Sequence, residues 1–122
     1  KVRASLHPEE RLILEIQTYK VVEEVGQSEP SEHQCESGLF SDQPYRCRTE
    51  SRWLPDEEVA IQTFSVTETA SGETQVYRST TRAWSDDDLM ALLADAGFHA
   101  VAPCDQWPCN TDALRLLTAR VQ

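Results

Sequence analysis

The run from Ser85 to Phe98 constrains this chain more than any other. Ser85 is an N-cap residue, and Asp88 stands at the third helical position to complete a capping-box-like pattern. Asp86, Asp87 and Asp88 all oppose the positive end of the helix dipole. Leu89, Leu92, Leu93 and Ala96 recur at i, i+3, i+4 and i+7, which makes one apolar stripe. Gly97 sits where a left-handed residue ends a helix, and Phe98 follows as its hydrophobic closer. A helix with one such stripe buries it against another layer.

The neighbouring segments read as strands. In Arg11–Thr18, Leu12, Ile13, Leu14 and Ile16 put apolar groups on both faces, as in a strand covered on both sides within a parallel sheet. Before it, Val2 and Leu6 suit a short helical end, and His7-Pro8-Glu9-Glu10 a turn; after it, Tyr19–Val25 reads as a short helix stopped at Gly26. Val59–Thr69 and Thr74–Trp84 flank a Gly-containing connection and read as an antiparallel hairpin, with Arg46–Leu54 as a preceding strand ended by Pro55. Phe98–Cys104 and Ala113–Val121 complete the strands, joined through Pro103–Asp112. Gln27–Pro44, rich in Ser, Glu, Gln and Pro, reads as a long loop with at most one helical turn.

The chain has 122 residues, one domain's worth, and at 39% hydrophobic and 26% charged it can bury a modest core. Lys+Arg 11 against Asp+Glu 21 leaves a net charge of -10, which disfavours nucleic-acid or anionic-membrane partners through bulk electrostatics. Nothing approaches the ~18 apolar residues of a membrane span, and no signal-peptide layout is present, so a cytoplasmic location is expected. The start at Lys1 rather than Met suggests an excised or processed piece. Cys35, Cys47, Cys104 and Cys109 form no C-x-x-C pair and are expected as reduced thiols. A zinc site from His33, Cys35 and Cys47 with Cys104 or Cys109 has unconvincing spacing, and no metal is expected.

The residues themselves show no catalytic constellation. There is no Gly-rich phosphate cradle, H-E-x-x-H or G-x-S-x-G, and a His33–Cys35 nucleophile pair rests on nothing but proximity in sequence. Asp86-Asp87-Asp88 is better placed for helix capping than for a cation. Glu15, inside an apolar strand, must be paired or exposed, beside Arg11 or at a functional edge. Trp53, Trp84 and Trp107 are expected in packing roles.

The order of segments is more telling. His7-Pro8-Glu9-Glu10-Arg11 leading into Leu12–Gln17 resembles the L-x-P-G-G-x-L lead-in to the fifth strand of Rossmann-like S-adenosylmethionine-dependent methyltransferases. Trp84–Phe98 is similar to that family's last helix, y-S-x-e-e-L-x-x-L-L-x-x-A-G-F, and Leu114–Arg120 to its final strand. The likeness spans nearly the whole chain, with Val59–Trp84 in the place of the family's substrate-side antiparallel insertion. Two departures stand out: Glu9-Glu10 replaces Gly-Gly, and the N-terminal half that carries the cofactor site is absent.

The resemblance implies an α/β class, α+β in isolation: a partial Rossmann-like sheet with an antiparallel hairpin insertion. One domain, 1–122, would divide into a sheet and helix portion (1–26 and 84–122), a loop (27–44) and the insertion (45–83). It further implies a small-molecule methyl acceptor faced by Gln17, Thr18, Tyr19, Phe40 and Trp53, with S-adenosylmethionine required by the complete enzyme but not bound by this chain alone. The catalytic residues are not identified, and the isolated chain is expected to be inactive. The Leu12–Gln17 edge, lacking its parallel partner, is expected to be covered by a second polypeptide, by self-association or by Gln27–Pro44. The alternative is a non-catalytic methyltransferase-like binding or interaction module.

Overall fold

The computed structural model of the chain describes residues 1–106 and 112–121. Among these residues, after a 3-10 turn at Arg3–Ser5, come seven strands and two α-helices: β1 (Arg11–Gln17), α1 (Tyr19–Gly26), β2 (Ser31–Cys35), β3 (Tyr45–Leu54), β4 (Val59–Glu68), β5 (Thr74–Arg82), α2 (Asp86–Asp95), β6 (Phe98–Pro103) and β7 (Leu114–Val121). The fold is α+β. Two compact units share the chain, the first made of Lys1–Val21 and Ala83–Gln122, the second of Val22–Arg82.

The first unit is a three-stranded sheet in the order β1-β7-β6, both pairings antiparallel. α2 forms as its capping residues dictate: the Ser85 hydroxyl accepts from the Asp88 amide at 3.1 Å. At the other end Gly97 adopts φ +86°, and its amide donates to the Ala94 carbonyl at 2.9 Å. Leu89 and Leu93 then close on Phe98, Leu117 and Ala119, with Leu12, Leu14, Ile16 and Trp84 packed around them. The apolar stripe of α2 is narrower than its spacing predicts: Leu92 is 47% exposed and Ala96 is exposed.

β1 departs from expectation in a second way. Its residues alternate between half-buried and exposed, and Ile13 is 62% exposed, so the strand is covered on one face only. The reason is topological: α2 and Leu6 close on the face of Leu12, Leu14 and Ile16, while Ile13, Glu15 and Gln17 occupy the other. Glu15 therefore lies in water rather than inside a doubly covered strand. β1 is also an edge, with no strand on its outer side among the described residues.

The second unit is an antiparallel meander in the order β2-β3-β4-β5. The β4–β5 hairpin and β3 lie where the β-prone runs put them. The stretch expected as a loop, 27–44, instead contains β2, whose Ser-Glu-His-Gln sequence is exposed and carries no hydrophobic alternation to announce a strand. Backbone pairing to β3 alone, Ser31 opposite Thr49 through Cys35 opposite Tyr45, makes it one. Tyr45, Cys47 and Val66 form the buried cluster here, with Cys35, Phe40 and Phe64 against it. Trp107 and Cys109, with most of the Pro103–Asp112 connection, lie outside the described residues. Among the described residues no helix is long and apolar enough to cross a membrane.

Candidate functional site

The residues named from sequence fall in two places. In the first unit, Gln17 ends β1, exposed and opposite Leu114. Thr18 follows, and its hydroxyl is committed on both sides: it donates to the Asp112 carbonyl at 2.8 Å and accepts from the Val21 amide at 3.4 Å. The Thr18 amide donates to the Ala113 carbonyl at 3.0 Å. Thr18 is thus the N-cap of α1 and the pin that holds the end of β1 to the start of β7. A small-molecule contact at this position would have to come from the remaining lone pair of the hydroxyl.

Thr18 and Tyr19 open, with Lys20, onto a depression of about 480 Å³ whose far wall is Ser85, Asp86, Asp87 and Arg115. It lies where the carboxyl end of β1 meets the amino end of β7. Arg115 pairs with Asp86 across it. Both side chains are exposed, so this bond orients the wall more than it stabilises the fold. Gln17 is not among the residues that line the depression. Lys20 and Arg115 are not singled out by the sequence, which reads Asp86 and Asp87 as capping residues. Arg115, a cation interrupting the apolar run Leu114–Leu117, was the available signal; the aspartates are indistinguishable from ordinary capping residues.

Phe40 and Trp53 belong to the second unit. Phe40, in the β2–β3 connection, is stacked on Tyr77 with ring centroids 5.1 Å apart, and lies 5.5 Å from Phe64 and 6.1 Å from Tyr45. It lines a smaller depression of about 160 Å³ together with Tyr45, Tyr77, Glu68 and Glu73. Trp53 is elsewhere on the sheet, half-buried against Gly26 at the end of α1; a Cβ added at Gly26 would lie 3.0 Å from the Trp53 Cβ. Phe40 and Trp53 are therefore not gathered around one depression within this unit.

His33, Cys35 and Cys47 share one face of the second sheet by register, yet no group of three such side chains that could hold a metal occurs among the described residues. Cys35 and Cys47 pack with the apolar cluster instead. Cys104 belongs to the first unit. Burial pushes the Tyr45 phenol above the ordinary tyrosine value of 10.0; a hydrogen bond with the Cys35 thiol adds to this, and the Phe40 backbone opposes it. A raised folded-state value means that the neutral phenol's contribution is fully present below pH 10 and is lost as pH rises through the folded value. The urea midpoint is expected to fall above about pH 10, and to fall less in Tyr45→Phe. An equally steep alkaline loss in both proteins would remove Tyr45 as the cause.

No family model matches the chain, and the search of curated proteins found no match. The fold, however, is similar to that of a S-adenosylmethionine-dependent methyltransferase from Clostridium acetobutylicum ATCC 824. The TM-score is 0.67 at 11% sequence identity, over 98% of this chain and 48% of that one. The chain has a methyltransferase-like fold and spans about half the length of that protein.

Proposed function

We propose that the chain is the substrate-side portion of a S-adenosylmethionine-dependent small-molecule methyltransferase, with a partial Rossmann-like sheet completed by a complementary cofactor-binding half. One observation carries the reading. The likeness extends over nearly all of this chain but only half of its structural neighbour, and the sheet here ends on a bare strand edge, β1.

The residues present do not fit the cofactor itself. No carboxylate ends β1 or β6, whose last residues are Gln17 and Pro103. The Thr18 hydroxyl is spent on backbone, and Asp86 is held by Arg115. No step through the cofactor is assigned to these side chains. The acceptor-side candidates are Gln17, Thr18 and Tyr19 around the end of β1 in the first unit and, separately, Phe40 and Trp53 within the second. Methyl transfer depends chiefly on aligning the acceptor with the donor methyl group. A rim pinned through Thr18 is suited to that task.

The test is a calorimetric titration with S-adenosylmethionine. The chain alone is expected to give no binding, and the chain supplied with a complementary cofactor-binding half is expected to bind. Along with binding, amides on the outer edge of Arg11–Gln17 should change from fast to slow hydrogen exchange as the missing strand pairs with them. Binding by the chain alone overturns the split-site reading. A complementary half that restores no binding overturns the methyltransferase reading and leaves an interaction module.

A further inference from the structure

Side chains alternate between the two faces of a sheet, and in the second unit the register gathers the arginines on one face, with Glu32 and Glu50 paired among them. Every arginine of the four strands, Arg46, Arg48, Arg52, Arg78 and Arg82, falls on one face. The other face has no lysine or arginine from the strands. Across it run two rows that matter here: Tyr45 opposite Glu68, with Glu73 beyond the turn, and Thr49 opposite Phe64 opposite Tyr77. Glu68 and Glu73 are held side by side, the Glu68 amide donating to the Glu73 carbonyl at 2.9 Å.

Two like charges adjacent across a hairpin destabilise it. Here little offsets them within the described chain. The Glu68 carboxylate accepts from the Ser71 hydroxyl at 2.6 Å, and the Glu73 carboxylate has neither a hydrogen bond nor an ion pair among the described residues. Glu68 and Glu73 line the 160 Å³ depression together with Phe40, Tyr45 and Tyr77, and Ser41, Val66 and Gln75 complete its wall. Aromatic faces attract a cation that sheds its water. The space equals about five water molecules at ~30 Å³ each, room for a compact organic head group.

We propose that this depression binds a compact alkylammonium ion, its methylated nitrogen against the Phe40–Tyr77 wall and its charge balanced by Glu68 and Glu73. The proposal rests on this sheet face alone and stands apart from the methyl-transfer reading. The probe pair is choline and its neutral carbon isostere 3,3-dimethylbutan-1-ol, titrated into the full chain at constant ionic strength. Choline is expected to shift the Tyr77 and Gln75 resonances saturably and to raise the melting temperature, while the isostere does neither.

Glu73→Gln should weaken choline binding about fivefold, the upper range for one exposed charge pair. The same substitution should raise the melting temperature of the ligand-free chain, because it removes the repulsion. A purely structural role for Glu73 would not produce that opposed pair of effects. Arg78→Gln, on the other face, should leave binding unchanged. Equal binding of the isostere, an unchanged affinity in Glu73→Gln, or no saturable shift up to about 0.1 M choline overturns the proposal.

Discussion

Phe98→Ala is expected to cost the first unit about 3–5 kcal/mol, the usual range for removing a buried aromatic ring. Phe98 is 5% exposed and closes the core that Leu89 and Leu93 of α2 form with Leu117 and Ala119 of β7. A three-stranded sheet under a single helix has few other sources of stability, and a whole domain has only about 5–15 kcal/mol in total. The measurement is urea unfolding followed by tryptophan emission, with Trp84, which packs on this core, as the reporter. Its transition should move to much lower urea. A shift worth less than about 1 kcal/mol would mean that α2 does not rest on Phe98 as described.

The second large effect lies at Gly26. A Cβ there would meet the Trp53 Cβ at 3.0 Å, the Trp53 ring at 3.1 Å and the Ala60 Cβ at 3.2 Å. Two of these neighbours are Cβ atoms fixed to strand backbone, so they cannot swing away. Gly26→Val should therefore destabilise the second unit by about 1–3 kcal/mol through overpacking, although valine is the better helix former. Chemical denaturation with near-ultraviolet circular dichroism checks it. Unchanged stability would show that the end of α1 can lift off Trp53.

Much of the local structure was legible because single residues carried it. Ser85, Asp88 and Gly97 set the limits of α2, and the Ala70–Glu73 connection marked the β4–β5 hairpin. Those are local interactions, and local interactions are what a sequence displays. β2 was illegible because Ser31–Cys35 offers neither hydrophobic alternation nor turn residues; its strand state comes from β3. The exposure of Ile13 was likewise hidden, since nothing in Leu12–Ile16 says which of its two apolar faces will be covered. In the site, Thr18 and Arg115 meet only through the pairing of β1 with β7, which the spacing of neither residue encodes. The separation of arginines from Glu68 and Glu73 was present as alternate positions along β3 and β5. It became visible only once the register of the strands was known.

The first unit is assembled from both ends of the chain, with Val22–Arg82 lying between its parts. Gln17 must wait for Leu114 and Arg11 for Arg120. During synthesis from the amino end, the central meander has all its strands available while β1 still lacks β7. Closing so long a loop carries an entropic penalty that grows with the logarithm of the free chain. A meander that has already folded shortens that free length. The central unit can thus form first, while the pairing of Arg11–Gln17 with β7 waits until Leu114–Val121 has been made.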